Sequence, residues 1–346
     1  MNKSILIIYT GGTIGMVNDP ETGALCPFNF EQIAQEVPEI REFGFDIDSY
    51  TLPHIIDSSD VRPALWGELC EIILKNYDNY CGFVILHGTD TMAYSASALS
   101  FMLSDLTKPV IFTGSQLPIG KIRTDGRENL IASLEIAAAY IGDKAIVPEV
   151  CILFGSRLFR GNRTTKINAE SFDAFQSFNY PPLAEIGIHI HYNYGAIDYS
   201  PRIKKVSAFT QMDTDVAILK IFPGMGLQLL DAVIHTPGLK GLVLETYGSG
   251  NAPTEESFLH KIQEASEKGI IIYNVSQCQG GTVEMGRYET SRRLVNAGVT
   301  GGYDITTEAA VCKMMYLLGK EKDANEIKKS LKSSLKGEIS VNHIGF

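Results

Sequence analysis

Short apolar runs alternate along the chain with longer stretches in which apolar residues recur at helical spacing. Ile5-Leu6-Ile7-Ile8, Phe83-Val84-Ile85-Leu86, Pro109-Val110-Ile111-Phe112 and Val150-Cys151-Ile152-Leu153-Phe154 are the kind of run that fills a buried parallel strand. Residues 49–56 read as a further strand. Between these runs, Arg62-Pro63 opens a helix with Leu65, Leu69, Ile72 and Ile73 on one face. Met92, Ala96, Leu99 and Leu103 follow at near-helical spacing, and Leu130, Ile131, Leu134, Ala137, Ala138 and Ile141 mark a third helix. The alternation predicts an α/β fold with a doubly wound sheet of parallel strands. From about Pro181 to Asp215 the periodicity loosens among prolines, tyrosines and polar residues. Beyond it the alternation resumes, with strands expected at 216–222, 242–246 and 270–275 and helices at 255–266, 308–318 and 324–335. The expected organisation is a larger N-terminal catalytic domain over 1–190, a linker over 191–215 and a smaller C-terminal α/β domain over 216–346.

Composition narrows the function classes. A chain of 346 residues suits two domains, and 45% apolar with 20% charged residues is ordinary globular material. The net charge of -10 argues against nucleic-acid or membrane binding. No apolar stretch approaches the roughly 18 residues of a membrane span. Met1-Asn2-Lys3-Ser4 leads straight into a strand without a signal-peptide pattern. The six cysteines are scattered and none forms a CxxC pair, so neither a zinc site nor a disulfide framework is expected. These features point to the cytoplasm.

The chemistry-bearing residues follow the strands. Tyr9-Thr10-Gly11-Gly12-Thr13-Ile14-Gly15 is a glycine-rich turn after the first strand, and His87-Gly88-Thr89-Asp90-Thr91 follows another. The first turn lacks the Gly-Lys-Ser/Thr of a P-loop and the GxGxxG spacing of a dinucleotide site. In a parallel sheet the C-terminal strand ends share one edge, so Thr13, Ser58, Thr89 and Asp90 can converge there, within reach of Lys166. A threonine hydroxyl becomes a nucleophile when a base takes its proton, and a lysine can be that base. Asp90 could orient the lysine or grip a substrate ammonium, and backbone N–H groups at the turns could hold an oxyanion. Each residue also has a plainer reading. Thr89 and Asp90 suit a helix cap, Lys166 a solvated surface, His87 a hydrogen-bonded structural role, and Ser58-Ser59 a simple turn. Residues 17–30, rich in Asn, Asp, Pro, Thr and Gly, read either as a surface connection or as a mobile lid over the Thr13 turn.

Taken together, Thr10-Gly11-Gly12-Thr13-Ile14-Gly15 and His87-Gly88-Thr89-Asp90-Thr91-Met92 resemble the two signature motifs of bacterial-type L-asparaginases. Asp57-Ser58-Ser59-Asp60 and Arg160-Gly161-Asn162-Arg163-Thr164-Thr165-Lys166 also match. Tyr247-Gly248-Ser249-Gly250-Asn251-Ala252-Pro253 and Gln277-Cys278 look like the cytoplasmic, type I branch. The resemblance covers nearly the whole chain. It implies hydrolysis of L-asparagine to L-aspartate and ammonia without a cofactor or metal, through a threonyl acyl-enzyme. It also implies Thr13 as nucleophile and Thr89, Asp90 and Lys166 as a second triad. Asp57, Ser58 and Ser59, with Thr89 and Asp90, are implied to bind the substrate's ends. An intimate homodimer, or a homotetramer of such dimers, with sites shared between subunits, is part of the same expectation. Many relatives carry a tyrosine in the lid, where this chain has Gly23-Ala24-Leu25; Tyr288 is the candidate replacement. Three alternatives stay open. They are an amidohydrolase that also takes glutamine, the subunit that transamidates glutamate on transfer RNA, and a binding module that kept the fold and lost the chemistry. Only nine residues precede Thr10, which leaves little room for the RNA-binding extension of the second.

Overall fold

A computed structural model describes residues 4–18, 25–27, 35–286 and 289–340. The chain divides into two compact units, Met1–Thr210 and Gln211–Phe346. The first is built on an eight-stranded sheet. Its strands are β1 (Ser4–Tyr9), β2 (Asp46–Thr51), β3 (Gly82–Leu86), β4 (Val110–Thr113), β5 (Val150–Phe154), β6 (Arg157–Arg160), β7 (Ala184–Ile186) and β8 (Ile190–Tyr192). They lie in the order β8-β7-β6-β5-β4-β3-β1-β2. β2, β1, β3, β4 and β5 run parallel, and β6, β7 and β8 extend the sheet antiparallel. The expected doubly wound sheet is therefore mixed: tight turns join β5 to β6 and β7 to β8 and force reversal of direction, while the longer connection from β6 to β7 carries the Lys166 segment.

β1, β3, β4 and β5 are apolar on both faces because helices cover them. These are α1 (Pro63–Asn76), α2 (Met92–Met102) and α3 (Gly126–Ala137). Pro63 starts α1 at the position where a missing N–H costs nothing, and Leu65, Leu69, Ile72 and Ile73 are buried as their spacing predicts. α2 buries nearly its whole circumference, and its serines and alanines let it lie close to its neighbours. The strand expected over 49–56 is instead β2, an exposed edge strand that ends at Thr51; Leu52-Pro53-His54-Ile55-Ile56 then leads, outside any strand, to Asp57. The stretch expected as a linker over 191–215 is partly built into the first unit. Ile190–Tyr192 is the outermost strand, and Ser207–Ala208 pairs with Leu103–Ser104.

The topology decides where a ligand can sit. β1 has β2 on one side and β3 on the other, so the strand order reverses beside β1. Loops leaving β1 and β3 therefore part in opposite directions and open a crevice at their carboxyl ends. The register puts those ends level: Tyr9 lies opposite Leu86, and Leu86 opposite Thr113.

The second unit has a four-stranded parallel sheet, β9 (Val216–Lys220), β10 (Gly241–Thr246), β11 (Ile271–Ser276) and β12 (Thr300–Gly301), in chain order. Its helices are α4 (Leu227–Ile234), α5 (Glu256–Glu267), α6 (Glu289–Asn296), α7 (Thr307–Lys320) and α8 (Ala324–Leu331). The apolar pattern does not predict α4 or α6, each eight residues long. Among the described residues, no helix is long and apolar enough to cross a membrane.

Candidate active site

The turn after β1 is shaped by two glycines with positive φ, Gly11 at 129° and Gly12 at 89°. A Cβ on Gly11 would collide with the Ile56 carbonyl, and one on Gly12 would stand 2.5 Å from Gly88 Cα. A Cβ on Gly88 would in turn stand 2.6 Å from the Ser58 side chain. Three segments far apart in sequence thus press backbone to backbone at the strand ends. The hydrogen bonds agree: Thr10 N and Oγ1 both donate to Leu86 O at 3.0 Å, and Ile56 N donates to Thr10 O at 2.9 Å. Thr13 opens the 3-10 turn Thr13–Gly15 just beyond this contact and is half-buried.

Thr89 and Asp90 leave the same edge from β3. Neither caps the following helix; its N-cap is Thr91, whose hydroxyl donates instead to Ser58 O at 2.7 Å. Lys166 Nζ lies 2.7 Å from both Thr89 Oγ1 and Asp90 Oδ1. The lysine side chain is 17% exposed and the aspartate 66%, so the carboxylate keeps an open side toward solvent. Lys166 arrives there on a rigid support. Arg160 forms a buried ion pair with Glu149 (Nε to Oε2, 2.6 Å) and stacks over the Tyr180 ring, and Thr164 Oγ1 donates to Arg160 O at 2.7 Å. The two-residue strand Thr165–Lys166 then pairs with Phe175–Gln176.

Asp57, Ser58 and Ser59 form the third wall. Asp57 Oδ1 accepts from Ser59 N at 2.9 Å and from Ser59 Oγ at 2.7 Å, and these bonds hold its carboxyl below the usual range. Asp57 and Ser59 are exposed while Ser58 is buried. His87 takes the structural role. Burial lowers its pKa to about 4, its Nδ1 is 2.7 Å from Gly88 O, and its Nε2 is 3.0 Å from Ser95 Oγ. Trp66 Nε1 donates to Ser95 Oγ at 3.0 Å. The network assigns the proton of the neutral ring to Nδ1.

This edge offers a hydroxyl on a glycine turn, a second hydroxyl within proton-transfer distance of a lysine amine, and two exposed carboxylates, Asp90 on that lysine and Asp57 on the neighbouring segment. Residues 4–198 match the family described as "Asparaginase, N-terminal", and residues 215–331 the "Glutaminase/Asparaginase C-terminal domain". The chain belongs to the asparaginase family. It is 44% identical to "L-asparaginase 1" of Escherichia coli strain K12, with 98% of each chain covered. It is 38% identical to the mouse "60 kDa lysophospholipase", covering 98% of this chain and 63% of that longer protein. The solved structure of L-asparaginase I from Vibrio cholerae is 38% identical and superposes with a TM-score of 0.89, covering 99% of this chain and 100% of that one.

For an asparaginase-family chain, two expectations fall outside the described residues: Tyr288, and residues 19–24 and 28–30 of the lid segment. The described parts of that segment are not a plain loop, since Met16–Asn18 pairs antiparallel with Leu25–Pro27. Sequence reasoning missed the segment after β4. There the Asp125 carboxylate accepts from Gln116 N, Leu117 N and Asn129 Nδ2, and Ile119 N donates to Ile14 O at 3.4 Å, tying this loop to the Thr13 turn. The polar Thr113-Gly114-Ser115 after an apolar strand was the available signal. Among the described residues no cluster suits a metal ion.

Proposed function

We propose that this protein hydrolyses L-asparagine to L-aspartate and ammonia through a covalent threonyl ester. The observation that carries the reading is Lys166 Nζ at 2.7 Å from Thr89 Oγ1 and Asp90 Oδ1, on the edge where the Thr13 turn packs against Gly88. Thr13 Oγ1 attacks the side-chain amide carbon as its proton is removed. The C–N bond breaks, and the nitrogen leaves as ammonia after taking a proton. A water then attacks the ester, releasing aspartate and restoring the hydroxyl. Thr89, held by Lys166, passes a proton to the amine as it activates the water or the nucleophile. Backbone N–H groups of the glycine turns face the oxyanion. Asp57, Ser58 and Ser59 bind the α-carboxylate and α-ammonium ends, and the open side of Asp90 accepts from the ammonium.

The finer reading follows the type I branch. The enzyme works in the cytoplasm as a homodimer or homotetramer whose subunits share sites, with Tyr288 serving in place of a lid tyrosine. Asparagine is the preferred amide. Glutamine differs by one methylene, worth only about 1–3 kcal/mol of discrimination. Comparing kcat/KM for the two amides tests the preference: a ratio near one makes the protein a broader asparaginase/glutaminase.

A further inference from the structure

β1 is aliphatic from Ile5 to Ile8 and ends in a tyrosine whose ring is buried beneath the turn it introduces. Tyr9 Oη donates to Gly15 O at 2.9 Å, reaching across the six residues that contain Thr13. Gly15 has no positive φ, so backbone conformation does not demand a glycine there. Space does: a Cβ on Gly15 would collide with the phenol oxygen and ring of Tyr9. Two other ties at the turn's C-terminal end are longer. Gly15 N reaches Gly12 O at 3.3 Å, and Ile119 N reaches Ile14 O at 3.4 Å. Among these described bonds, the phenol makes the tightest one at the turn's C-terminal end. Burial raises the Tyr9 pKa, so the group remains a protonated donor throughout the neutral and mildly alkaline range.

We propose that Tyr9 is a positioning residue for Thr13: its hydroxyl holds the Gly15 carbonyl and so fixes the 3-10 turn that aims the Thr13 hydroxyl. Tyr9 acts from below the turn, through backbone, and touches no substrate atom. The substrate's ends are gripped by other segments, so loosening this bond misaligns the nucleophile without weakening binding. A small misplacement of a reacting group lowers rate far more than affinity. The proposal rests on the reading of Thr13 as nucleophile.

The test is Tyr9→Phe, which keeps the buried ring and deletes only the hydroxyl. Steady-state rates of ammonia release from L-asparagine are measured well below the variant's unfolding temperature. The expected result is a kcat about 10- to 100-fold lower with KM within about twofold of wild type. A purely structural role would lower the unfolding temperature and leave kcat unmoved, and that result overturns the proposal. Gly15→Ala gives a second route, because its methyl must displace the phenol from the carbonyl. It is expected to lose at least as much kcat while still binding aspartate, and an unchanged kcat there is equally contrary. Thr13→Ala runs alongside. If it keeps full turnover, the nucleophile reading fails; if it is inactive while Tyr9→Phe is wild-type, only the positioning role fails.

Discussion

Lys166 stands between a hydroxyl and a carboxylate, 2.7 Å from each, and its side chain is largely enclosed. A solvated lysine would not be held so by two partners from one turn, so the geometry favours proton transfer over a surface role. Removing the amine while keeping the stem isolates that function. Lys166→Met is expected to lower kcat by about 10²- to 10⁴-fold, the usual worth of a positioned acid or base. Retained binding of aspartate, read by calorimetry, would show that the pocket survives. A kcat within a few-fold of wild type would remove Lys166 from the proton path. Thr13, Thr89 and Asp90 were candidates because they lie just after apolar strands, Lys166 because it lies on a connection beyond one, and Asp57, Ser58 and Ser59 because they form a polar cluster after Ile55-Ile56. Tyr9 and Asp125 were not. Tyr9 reads as one more core aromatic until its hydroxyl is seen on Gly15 O, and Asp125 binds backbone N–H groups that no spacing rule reveals.

The Gly11-Gly12, Gly88 and Ser58 segments form a three-way contact with no room for a side chain at its centre. Gly88→Ala puts a methyl 2.6 Å from Ser58 and is expected to reduce kcat/KM by about 100-fold or more, since a 1 Å displacement of reacting groups suffices for that. Near wild-type kcat/KM in a folded variant would show that the turns are not mutually constrained. Behind Gly88, His87 supplies a pH signature. The folded protein keeps it neutral down to about pH 4, whereas the unfolded chain protonates near 6.5. The unfolded state binds more protons between these values, so this histidine's contribution is full above 6.5 and is lost as pH falls toward 4. The slope is about 1.4 kcal/mol per pH unit for one proton. Urea unfolding at pH 7, 5.5 and 4.5 checks it: His87→Gln should show a shallower loss than wild type, and equal slopes would exclude the histidine. Apolar pattern revealed β1, β3, β4, β5 and the long helices. It missed the antiparallel extension β6 to β8, which includes only short strands with mixed faces, and it placed β2 too late because an exposed edge strand carries little apolar signal.

At the scale of the molecule, two α/β units are joined in one chain, and each has its own stabilising centre. In the second, Lys313 and Glu338 form a fully buried ion pair at 2.6 Å. Lys313 also donates to Leu331 O at 3.0 Å and Ser333 O at 2.6 Å, and Glu338 accepts from Leu335 N and Lys336 N. The pair thus folds the segment after α8 back onto α7. Lys313→Met would leave a buried carboxylate without its cation and is expected to cost about 3–5 kcal/mol, read by denaturant unfolding. A loss below about 1 kcal/mol would mean that the segment is held by packing alone. Such a tie is invisible in sequence, because a lysine on an amphipathic helix normally faces water. The family of the chain was legible from motifs at the strand ends, and the topology gives those motifs a reason: strand order reverses beside β1, so the turns after β1 and β3 border one crevice. The central claim is that this edge hydrolyses L-asparagine through Thr13. Ammonia release from L-asparagine by the purified wild type, beside Thr13→Ala and Thr89→Ala proteins shown to be folded, tests it most directly. The account predicts release by the wild type and a loss of at least about 10³-fold in each variant; no release by folded wild type, or full turnover by Thr13→Ala, would contradict it.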